Sequence, residues 1–505
     1  MIETESQPSL VQHVDDPAFP DVVGTGDAVD GGDCKSYVDY RGIEKKVCPS
    51  ITFQEVLNLV KENNRNDQAK NIVIIDTRTP KEYEESHVID AISIPLMNND
   101  QRHIIGKTYK QESKQAAITK GWHIFSPLIS NYVKQFEQYK NKQTDVYIYC
   151  WRGGMRSRIV TNLLNMNGFG SGDDDEGNTV HQVTGGFKVY MNDIVWKGLD
   201  SFAVSYPPTF IVLFGNTGSG KTQILKKLEQ TKVRRASETE NEEPKGHHNV
   251  PVLDLEGLAG HMGSLYGNVD KEPKSQKMFS ILLYHKLEEL QGFKYVFVEG
   301  ESNKVGNVHL PIFLYEKIQS RKNGSKTIQS SASASAKEGS EAKSAINDSS
   351  SSSSKDGTSS SPINEDSSSA TKADMPLSSS SVPPSLSSPS LNVLIQASIP
   401  TRIKVIREEY DTTKEESIQQ IRDATNSISM QRNIGKKNVA LLHQLLDEKK
   451  FDEFTEWLLV NYYDLRYRFT KQDYHYSLTV TNDHENDMID CCSKLIDFYY
   501  NLHKP

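Results

Sequence analysis

The chain has 505 residues, enough for two or three domains, and its formal net charge at pH 7 is −9. Residues 1–34 hold eight acidic residues and no lysine or arginine, so the rest is nearly neutral and charge alone neither requires nor excludes a nucleic-acid partner. Five scattered cysteines fit a reducing compartment better than a disulfide framework. No apolar run approaches the ~20 residues that cross a bilayer. We therefore expect a cytoplasmic protein with no membrane partner.

Composition and periodicity divide the chain into five segments. Residues 1–48 form an acidic tail and residues 320–389 a serine-rich insertion, and both are too polar to pack a core. Residues 49–200 form one predicted domain, and residues 205–319 with 390–410 form a second. In both, apolar strands alternate with amphipathic helices, which is typical of parallel sheets covered on both faces. Residues 411–505 are predicted to be a helical C-terminal region, with no strand after Glu408.

The strand and helix patterns locate the elements of both domains. The predicted strands are "NIVIIDTR", "DVYIYC", "TFIVLFG", "NVPVLDLEG", "YVFVEGE" and "NVLIQAS". The predicted helices are Pro80–Ser86, Arg156–Asn167, Thr222–Gln230, Ser275–Gln291 and Pro400–Tyr410. The serine-rich insertion falls between a helix and a strand of the second domain, where a long surface loop costs little closure entropy.

The segment "YCWRGGMRSR" places Cys150 in a loop between a strand and a helix. Backbone N–H groups at a helix start carry partial positive charge, and Gly153 and Gly154 allow several of them to turn inward. Arg152 and Arg156 are expected to favour the thiolate and to hold an anion beside it. The loop therefore predicts a thiolate that handles sulfur, selenium or phosphorus oxyanions. The alternative is a buried structural cysteine with arginines on the surface.

Upstream motifs give this loop a context. The segment "VIIDTRTPKEYEESHVIDAISIPL" combines a strand, D-x-R, E-Y, H-x-x-x-A and I-P. With the cysteine loop it resembles the rhodanese fold over roughly residues 50–198. The resemblance implies that Asp76 and Arg78 brace the active-site loop, and we count them among the catalytic residues. His87 is expected to be structural.

The spacing of the loop keeps a second interpretation open. Rhodanese loops usually carry an arginine five positions after the cysteine, whereas Arg156 comes six after Cys150, the C-x5-R spacing of cysteine phosphatases. A phosphatase would use Cys150 as nucleophile and Arg156 as phosphate clamp. No acid that could protonate a leaving group lies between Cys150 and Arg158, which weakens this alternative.

A second glycine-rich segment, "GNTGSGKT", fits the phosphate-binding pattern G-x-x-x-x-G-K-[ST]. The strand "TFIVLF" precedes it and the helix "QILKKLEQ" follows it, as the motif requires. Lys221 is expected to neutralise phosphate oxygens, and the Thr222 hydroxyl to bind Mg²⁺. The predicted phosphate-binding residues are Gly215, Asn216, Thr217, Gly218, Ser219, Gly220, Lys221 and Thr222.

Carboxylates that could complete a Mg²⁺ site follow two predicted strands. Asp254 and Glu256 lie in "PVLDLEG", and Glu299 and Glu301 lie in "YVFVEGE". We predict a metal site made of Thr222, Asp254 and Glu299. The alternative for each carboxylate is a helix cap or a salt bridge.

The combined pattern is more specific than either loop. "CWRGGMRS", "GGFKVY", "GNTGSGKT", "DLEGLAGHMGSLYG", "VFVEGESNKVGNVHLP" and "WLLVNYYDLRY" together resemble the tRNA 2-selenouridine synthase family from about residue 50 to 470. The fold class expected is α/β, with an N-terminal rhodanese-like domain, a P-loop NTPase-like parallel-sheet domain and a helical C-terminal region.

This resemblance implies a transferase that replaces sulfur by selenium in the wobble 2-thiouridine of tRNA. It implies S-geranylation with geranyl diphosphate and then selenation with selenophosphate, so both are expected co-substrates. The phosphate loop would bind the prenyl diphosphate and the cysteine loop the selenophosphate. The alternative is a rhodanese-fold cysteine phosphatase or sulfurtransferase fused to an NTPase- or kinase-like P-loop module.

Three further segments are candidate binding residues. In "RHIIGKTYKQE", Arg102, Lys107 and Lys110 are expected to contact tRNA phosphates, with a solvated basic loop as the alternative. In "NYYDLRY", Arg466 is expected to bind tRNA, and Tyr463 or Tyr467 to stack with it, with helix packing as the alternative that we favour for the tyrosines. "GHMGSLYG" is predicted to line the diphosphate or prenyl site.

Overall fold

The computed structural model describes residues 36–38, 44–46, 49–63, 70–140, 143–170, 179–234, 247–261, 266–267, 269, 271–319, 390–410, 412–466, 475–483 and 487–503. The chain divides into two compact units, Met1–Tyr190 and Met191–Pro505. The serine-rich insertion and most of the acidic tail lie outside the described residues. Within the described part, no helix combines the length and the apolar character that a bilayer span requires.

The first unit is an α/β domain. Its strands are β1 Ser36–Val38, β2 Glu44–Lys46, β3 Ser50–Thr52, β4 Asn71–Asp76, β5 Ile92–Ser93, β6 Thr144–Tyr149 and β7 Val180–Thr184. Its helices are α1 Phe53–Asn63, α2 Pro80–Glu85, α3 Asn99–Gln111, α4 Lys114–Phe125, α5 Ile129–Lys134, α6 Met155–Met166 and α7 Gly186–Val189. Strands β3 to β7 form a parallel sheet in the order β3-β7-β6-β4-β5, and β1 pairs with β2 antiparallel.

The centre of this sheet is buried on both faces. Alternate apolar residues of β4 and β6 lie in one core with residues of α5 and α6, and the residues between them, such as Ile74 and Tyr147, are also buried. This burial on both faces is why the two strands are continuous apolar runs. Asp76 and Tyr149, the last residues of β4 and β6, are opposite each other in register. The segments that follow Asp76 and Tyr149 therefore meet at the carboxyl edge of the sheet, where Cys150 lies.

The second unit contains a five-stranded parallel sheet and the C-terminal helices. Its strands are β8 Thr209–Phe214, β9 Lys232–Arg234, β10 His247–Asn249, β11 Val252–Leu253, β12 Tyr295–Glu299, β13 Lys304–Val305, β14 Val308–His309, β15 Leu391–Gln396 and β16 Leu478–Thr481. Its helices are α8 Lys197–Val204, α9 Lys221–Gln230, α10 Leu255–Ala259, α11 Gln276–Leu290, α12 Ile312–Gln319, α13 Ile399–Glu409, α14 Glu415–Thr425, α15 Ile428–Ile434, α16 Lys436–Asp447, α17 Phe451–Leu458 and α18 Asp487–His503. The sheet order is β11-β12-β8-β15-β16.

The six strands predicted from apolar runs are present, and the five predicted helices begin and end within one residue of their expected bounds. The segment after Glu408 is helical as predicted, except for β16. This strand pairs in parallel with β15 at the edge of the sheet. The helix α18 then packs on the core of the same sheet through Cys491 and Cys492, which are buried. The prediction of an all-helical C-terminal region was wrong at this strand, because an edge strand of four residues carries little periodic signal.

Candidate functional site

The cysteine loop of the first unit is closed over its thiol. Cys150 follows β6 directly and only 3% of its surface is exposed. Its Sγ lies 3.3 Å from the Oγ of Ser157, in the first turn of α6. In this conformation a reagent reaches the sulfur only if the loop moves.

Two glycine turns interlock to hold this loop. Gly153 has φ +61°, and a Cβ there would lie 2.6 Å from both the N of Gly185 and the carbonyl oxygen of Val183. The backbone N–H of Phe187 donates to the Cys150 carbonyl at 2.8 Å. The "GGF" motif thus supports the cysteine loop by backbone contact, and only glycine permits this approach.

Gln182, on β7, is a loop-supporting residue that sequence analysis missed. Its Nε2 donates to the carbonyls of Gly153 and Gly154, at 2.5 Å and 3.0 Å, and lies 3.1 Å from the Oγ of Ser157. The side chain is buried, so its amide group ties the glycine turn to β7 inside the domain.

Asp76 and Arg78 form a buried ion pair beneath the loop. The Arg78 guanidinium donates to both carboxylate oxygens of Asp76, and the Tyr149 hydroxyl donates to Asp76 Oδ2 at 2.7 Å. The guanidinium also lies over the Phe187 ring, 3.9 Å from its centroid. Asp76 and Arg78 therefore brace the strand end that carries Cys150, and they lie too deep to touch a bound anion. His87 stacks on Tyr83, at 3.9 Å between ring centroids, which fits the structural role expected of it.

Arg156 is paired with a carboxylate and is not a free anion clamp. Its Nη1 lies 2.9 Å from Glu82 Oε2, and the same oxygen lies 3.4 Å from Arg102 Nε and accepts the Thr79 N–H. Burial alone would raise the pKa of Glu82, but Arg156, Thr79 and Arg102 together lower it. Arg152, in contrast, is exposed. Of the two predicted anion-binding arginines, only Arg152 is available in this conformation.

The phosphate loop of the second unit is assembled as predicted. Residues 215–222 connect β8 to α9, and Gly218 and Gly220 have φ of +78° and +88°. The Lys221 Nζ donates to the Gly215 carbonyl at 2.9 Å and lies across the loop. The loop backbone is also tied to β16, because Asn482 Nδ2 donates to the Ser219 carbonyl at 3.0 Å.

The carboxylates near Thr222 are arranged differently from the prediction. The Thr222 hydroxyl donates to Glu256 at 2.7 Å, whereas Asp254 caps α10 by accepting the Gly257 N–H at 2.7 Å. Glu299 accepts the Glu256 N–H through Oε1, and its buried Oε2 has no hydrogen-bond partner among the described residues. Burial raises the pKa of Glu256 and of Glu299. The predicted metal role of Asp254 is corrected to a helix cap, and Glu256 is the carboxylate beside Thr222.

These residues fit a magnesium ion that is held mainly by a bound diphosphate. Mg²⁺ typically uses one or two protein carboxylates together with substrate phosphates and water. Thr222 and Glu256 offer this donor set at the end of the phosphate loop. Among the described residues, no three histidine, cysteine or acidic side chains converge as a complete cage for a metal ion.

A buried ion pair fastens the phosphate loop to the C-terminal helices. Arg402, on α13, is 2% exposed and donates to both carboxylate oxygens of Asp464, at 2.8 Å and 2.6 Å. Its Nε donates to the Thr217 carbonyl, and Asn216 Nδ2 donates to Asp464. In the motif "NYYDLRY", Asp464 is therefore the residue that holds the phosphate loop, and sequence analysis did not select it.

The phosphate loop opens into a cavity of about 740 Å³. Lys221, Thr222 and Glu256 line it on the side of the loop, and apolar residues of the C-terminal helices line it elsewhere. These apolar and aromatic residues include Ile406, Ile421, Leu446, Phe451, Phe454, Leu458, Leu459, Tyr462 and Tyr463. One space thus joins a phosphate-binding end to an apolar chamber, in the size range of small-molecule sites.

The candidate tRNA-binding residues fall in two places. Lys107 and Lys110 are exposed on α3, and Arg102 is exposed while also contacting Glu82. Arg466 lines the cavity of the second unit, and its guanidinium lies over the Tyr462 ring at 3.8 Å. Tyr467 lies outside the described residues. The position of Arg466 suits an anion in the cavity better than a phosphate on an RNA surface.

Comparison with protein-family models gives both domains a name. Residues 59–193 match the rhodanese-like domain, and residues 208–324 match the tRNA 2-selenouridine synthase AAA domain. The chain resembles the tRNA 2-selenouridine synthases. The resemblance inferred from the motifs is confirmed, as is an α/β fold with a rhodanese-like and a P-loop-type domain.

Curated tRNA 2-selenouridine synthases are similar over about half of the chain. The protein from Sulfurovum sp. (strain NBC37-1) is 31% identical over 251 residues, 49% of this chain and 60% of that protein. The protein from Nitrosomonas eutropha is 29% identical over 251 residues, 49% of this chain and 57% of that protein. The chain thus spans less than two thirds of the length of these relatives.

Proposed function

We propose that the protein is a tRNA-modifying transferase that replaces sulfur by selenium in wobble 2-thiouridine, through S-geranylation and then selenation. The cavity that joins the phosphate loop to an apolar chamber carries this proposal, because a prenyl diphosphate has the same two parts. The similarity to tRNA 2-selenouridine synthases supports tRNA as the substrate. The described cysteines, Cys150, Cys491 and Cys492, are free, which is in keeping with the cytoplasmic location that we propose.

In the first stage, the phosphate loop binds the diphosphate of geranyl diphosphate. Backbone N–H groups between Gly215 and Gly220 point to its oxygens, and Lys221 neutralises them. Thr222 and Glu256 would hold Mg²⁺, which would offset the negative charge of the leaving diphosphate. The apolar chamber takes the ten-carbon tail and excludes water from the allylic carbon. The thiocarbonyl sulfur attacks that carbon and the diphosphate leaves.

In the second stage, the cysteine loop binds selenophosphate and delivers selenium to the alkylated base. Alkylation makes the sulfur a better leaving group than a thiocarbonyl sulfur. The selenium of selenophosphate attacks C2 and the geranyl thiol departs, and water then cleaves the P–Se bond, which releases phosphate and leaves selenium on C2. Arg152 is the exposed guanidinium for the selenophosphate oxyanion. Arg156 joins it only when the contact with Glu82 opens, and selenophosphate reaches Cys150 only when the loop moves. On α3, Arg102, Lys107 and Lys110 would contact tRNA phosphates.

Glu82 bears on the phosphatase alternative. It is an acidic side chain close to the cysteine loop, whose own sequence contains none, and its Oε2 lies 2.9 Å from Arg156 Nη1. Its pKa is lowered overall, so it is ionised at neutral pH and is a poor proton donor to a leaving group. This favours the selenium-transfer reaction over phosphate ester hydrolysis.

The decisive test uses tRNA that carries 2-thiouridine. Incubation with geranyl diphosphate and selenophosphate should first give a geranylated nucleoside and then a nucleoside in which selenium has replaced sulfur, both read by mass spectrometry. Release of phosphate from an aryl phosphate, with no mass change in the RNA, would instead establish the phosphatase.

A further inference from the structure

S-alkylation of 2-thiouridine, on which this inference rests through the proposed function, releases a proton as well as diphosphate. The sulfur forms a bond to the allylic carbon while the bond from that carbon to the diphosphate oxygen breaks. The N3–H proton must also leave, so that a double bond between C2 and N3 gives a neutral product. A base near the allylic carbon would remove this proton during attack and make the sulfur more nucleophilic.

Three carboxylate side chains and one histidine line the cavity that would hold the diphosphate: Glu256, Glu301, Glu409 and His261. Glu256 accepts a hydrogen bond from the Thr222 hydroxyl, and both residues lie beside the phosphate loop. In the proposed function they would hold Mg²⁺ with the diphosphate, so Glu256 is not available as the base. Glu301 comes two residues after Glu299, which is hydrogen-bonded to the Glu256 backbone. Burial and then the charge of Glu256 raise the pKa of Glu301 to about 8, so Glu301 belongs to the acidic group beside Glu256 at the carboxyl ends of β11 and β12.

His261 lines the cavity but is packed in place. Only 8% of the residue is exposed, and its buried Nδ1 has no hydrogen-bond partner in the part of the chain that the structure describes. Gly306 packs so closely on the ring that a Cβ there would lie 2.3 Å from the His261 Cγ. Burial and then the charge of Lys304 lower its pKa, so the imidazole is neutral at neutral pH. It is the competing candidate for the base.

Glu409 lies on a different element of the cavity wall. It is the last residue of α13, the helix whose Arg402 holds the phosphate loop through the Thr217 carbonyl. The side chain is half-buried, and within the described part of the chain its carboxylate makes no hydrogen bond or ion pair. Its neighbour Arg407, in contrast, is paired with Asp452. Glu409 therefore faces the cavity with its oxygens available.

The charges around Glu409 set its proton affinity. Burial and then the charge of Glu256 raise the pKa of Glu409 to about 7, against the opposing effect of Lys221, Lys226 and Lys271. A carboxyl group with this pKa accepts and releases a proton readily near neutral pH, which suits a general base. Burial is the larger of the two raising causes and does not depend on the ionisation of Glu256.

We propose that Glu409 is the catalytic base that accepts the N3 proton of 2-thiouracil while the sulfur attacks the allylic carbon of the prenyl diphosphate. One carboxylate oxygen forms the new O–H bond, and the electrons of the N3–H bond form the double bond between C2 and N3. The diphosphate leaves with the electron pair of the broken C–O bond and remains bound at the phosphate loop. The carboxyl group then returns its proton to water.

The test measures single-turnover geranylation of 2-thiouridine RNA across pH, with binding of inorganic diphosphate as a separate readout. Glu409→Gln should lower the rate at neutral pH by about 100-fold or more and leave diphosphate binding within about twofold. Its rate should rise with pH as N3–H ionises without a base, so the deficit should shrink. Glu409→Asp should recover part of the rate, and Glu408→Gln, at the exposed neighbouring position, should behave as wild type.

Two results distinguish a failure of the Glu409 assignment from a failure of the proposed function. A wild-type rate in Glu409→Gln, or the same pH profile in His261→Gln as predicted for Glu409→Gln, would overturn the assignment of Glu409 while leaving the geranylation reaction intact. Failure of the wild-type protein to alkylate 2-thiouridine RNA at any pH would overturn the proposed function, and this inference with it.

Discussion

The cysteine loop and the phosphate loop occupy similar positions in their domains, but one is closed and the other is open. Both follow a buried parallel strand, contain glycines with positive φ and lead into a helix. The cysteine loop is closed, with Cys150 covered and Arg156 neutralised by Glu82. The phosphate loop opens into a cavity of about 740 Å³. A glycine-rich loop after a strand therefore indicates where anions can bind, but the neighbouring elements decide whether the site is open.

This contrast suggests different demands on the two loops. The phosphate loop only has to receive a diphosphate, so a preformed and open cradle suffices. In the proposed selenation, the Cys150 thiolate would have to be protected from other reagents, because exposed thiolates oxidise readily. The closed cysteine loop, in which Cys150 is covered, would meet this demand.

The largest effect is expected where the two glycine turns of the first unit interlock. Gly153→Ala adds a Cβ that would lie 2.6 Å from two backbone atoms, at a φ of +61° that alanine adopts poorly. We expect a loss of more than ~3 kcal/mol in the free energy of unfolding, measured by denaturant titration. Gly154→Ala is the matched control, because nothing lies within 4 Å of the added Cβ. Equal stability of the two variants would contradict the interlocked turn.

The next largest effect is expected when the ion pair between Arg402 and Asp464, which holds the phosphate loop, is broken. Asp464→Asn leaves Arg402 buried with a neutral partner, and we expect a loss of about 2 kcal/mol in stability together with weaker diphosphate binding. Asp452→Asn is the control, because it removes a comparable carboxylate from the exposed Arg407, and should cost less than ~0.5 kcal/mol. An unchanged affinity for inorganic diphosphate in Asp464→Asn would show that the loop does not depend on this ion pair.

The sequence predicted the framework of both sites because local patterns specify it. Apolar runs located the central strands, and "GNTGSGKT" located the phosphate loop with its helix. The residues that sequence analysis missed act over long separations in the chain. Glu82 contacts Arg156 from 74 positions away, and Arg402 reaches the Thr217 carbonyl from 185 positions away. No local pattern encodes such pairs.

Local sequence patterns also failed to show which of two neighbouring carboxylates lies beside Thr222. Asp254 and Glu256 are two residues apart, and both follow β11. Their roles depend on where α10 begins, because the residue at the helix start caps the helix and turns away from Thr222. Sequence analysis located the strand end but did not predict this short helix.

A smaller effect is expected at Glu82. Glu82→Gln removes the charge that neutralises Arg156, so the affinity of the cysteine loop for inorganic phosphate, measured by calorimetry, should rise about fivefold. Glu84→Gln, at an exposed position on the same helix, should have no effect. A weaker affinity in Glu82→Gln would mean that Glu82 orients Arg156 for the anion and does not compete with it.

The smallest effect is a pH dependence of stability. The folded-state pKa of Glu82 is lowered, so its ion pair stabilises the first unit above the unfolded pKa, near 4.5, and this contribution is lost as the pH falls through the lower folded value. Stability measured across this acidic range should therefore fall more steeply for the wild type than for Glu82→Gln. Parallel curves would show that the ion pair contributes nothing to stability.

The central claim is that the two loops perform consecutive steps on one RNA base, and product analysis of two variants tests it most directly. With 2-thiouridine tRNA, geranyl diphosphate and selenophosphate, Cys150→Ser should accumulate the geranylated nucleoside and form no selenium product. Lys221→Ala should be impaired in geranylation itself. If Cys150→Ser instead lost geranylation while Lys221→Ala retained it, the division of labour between the two loops would be contradicted.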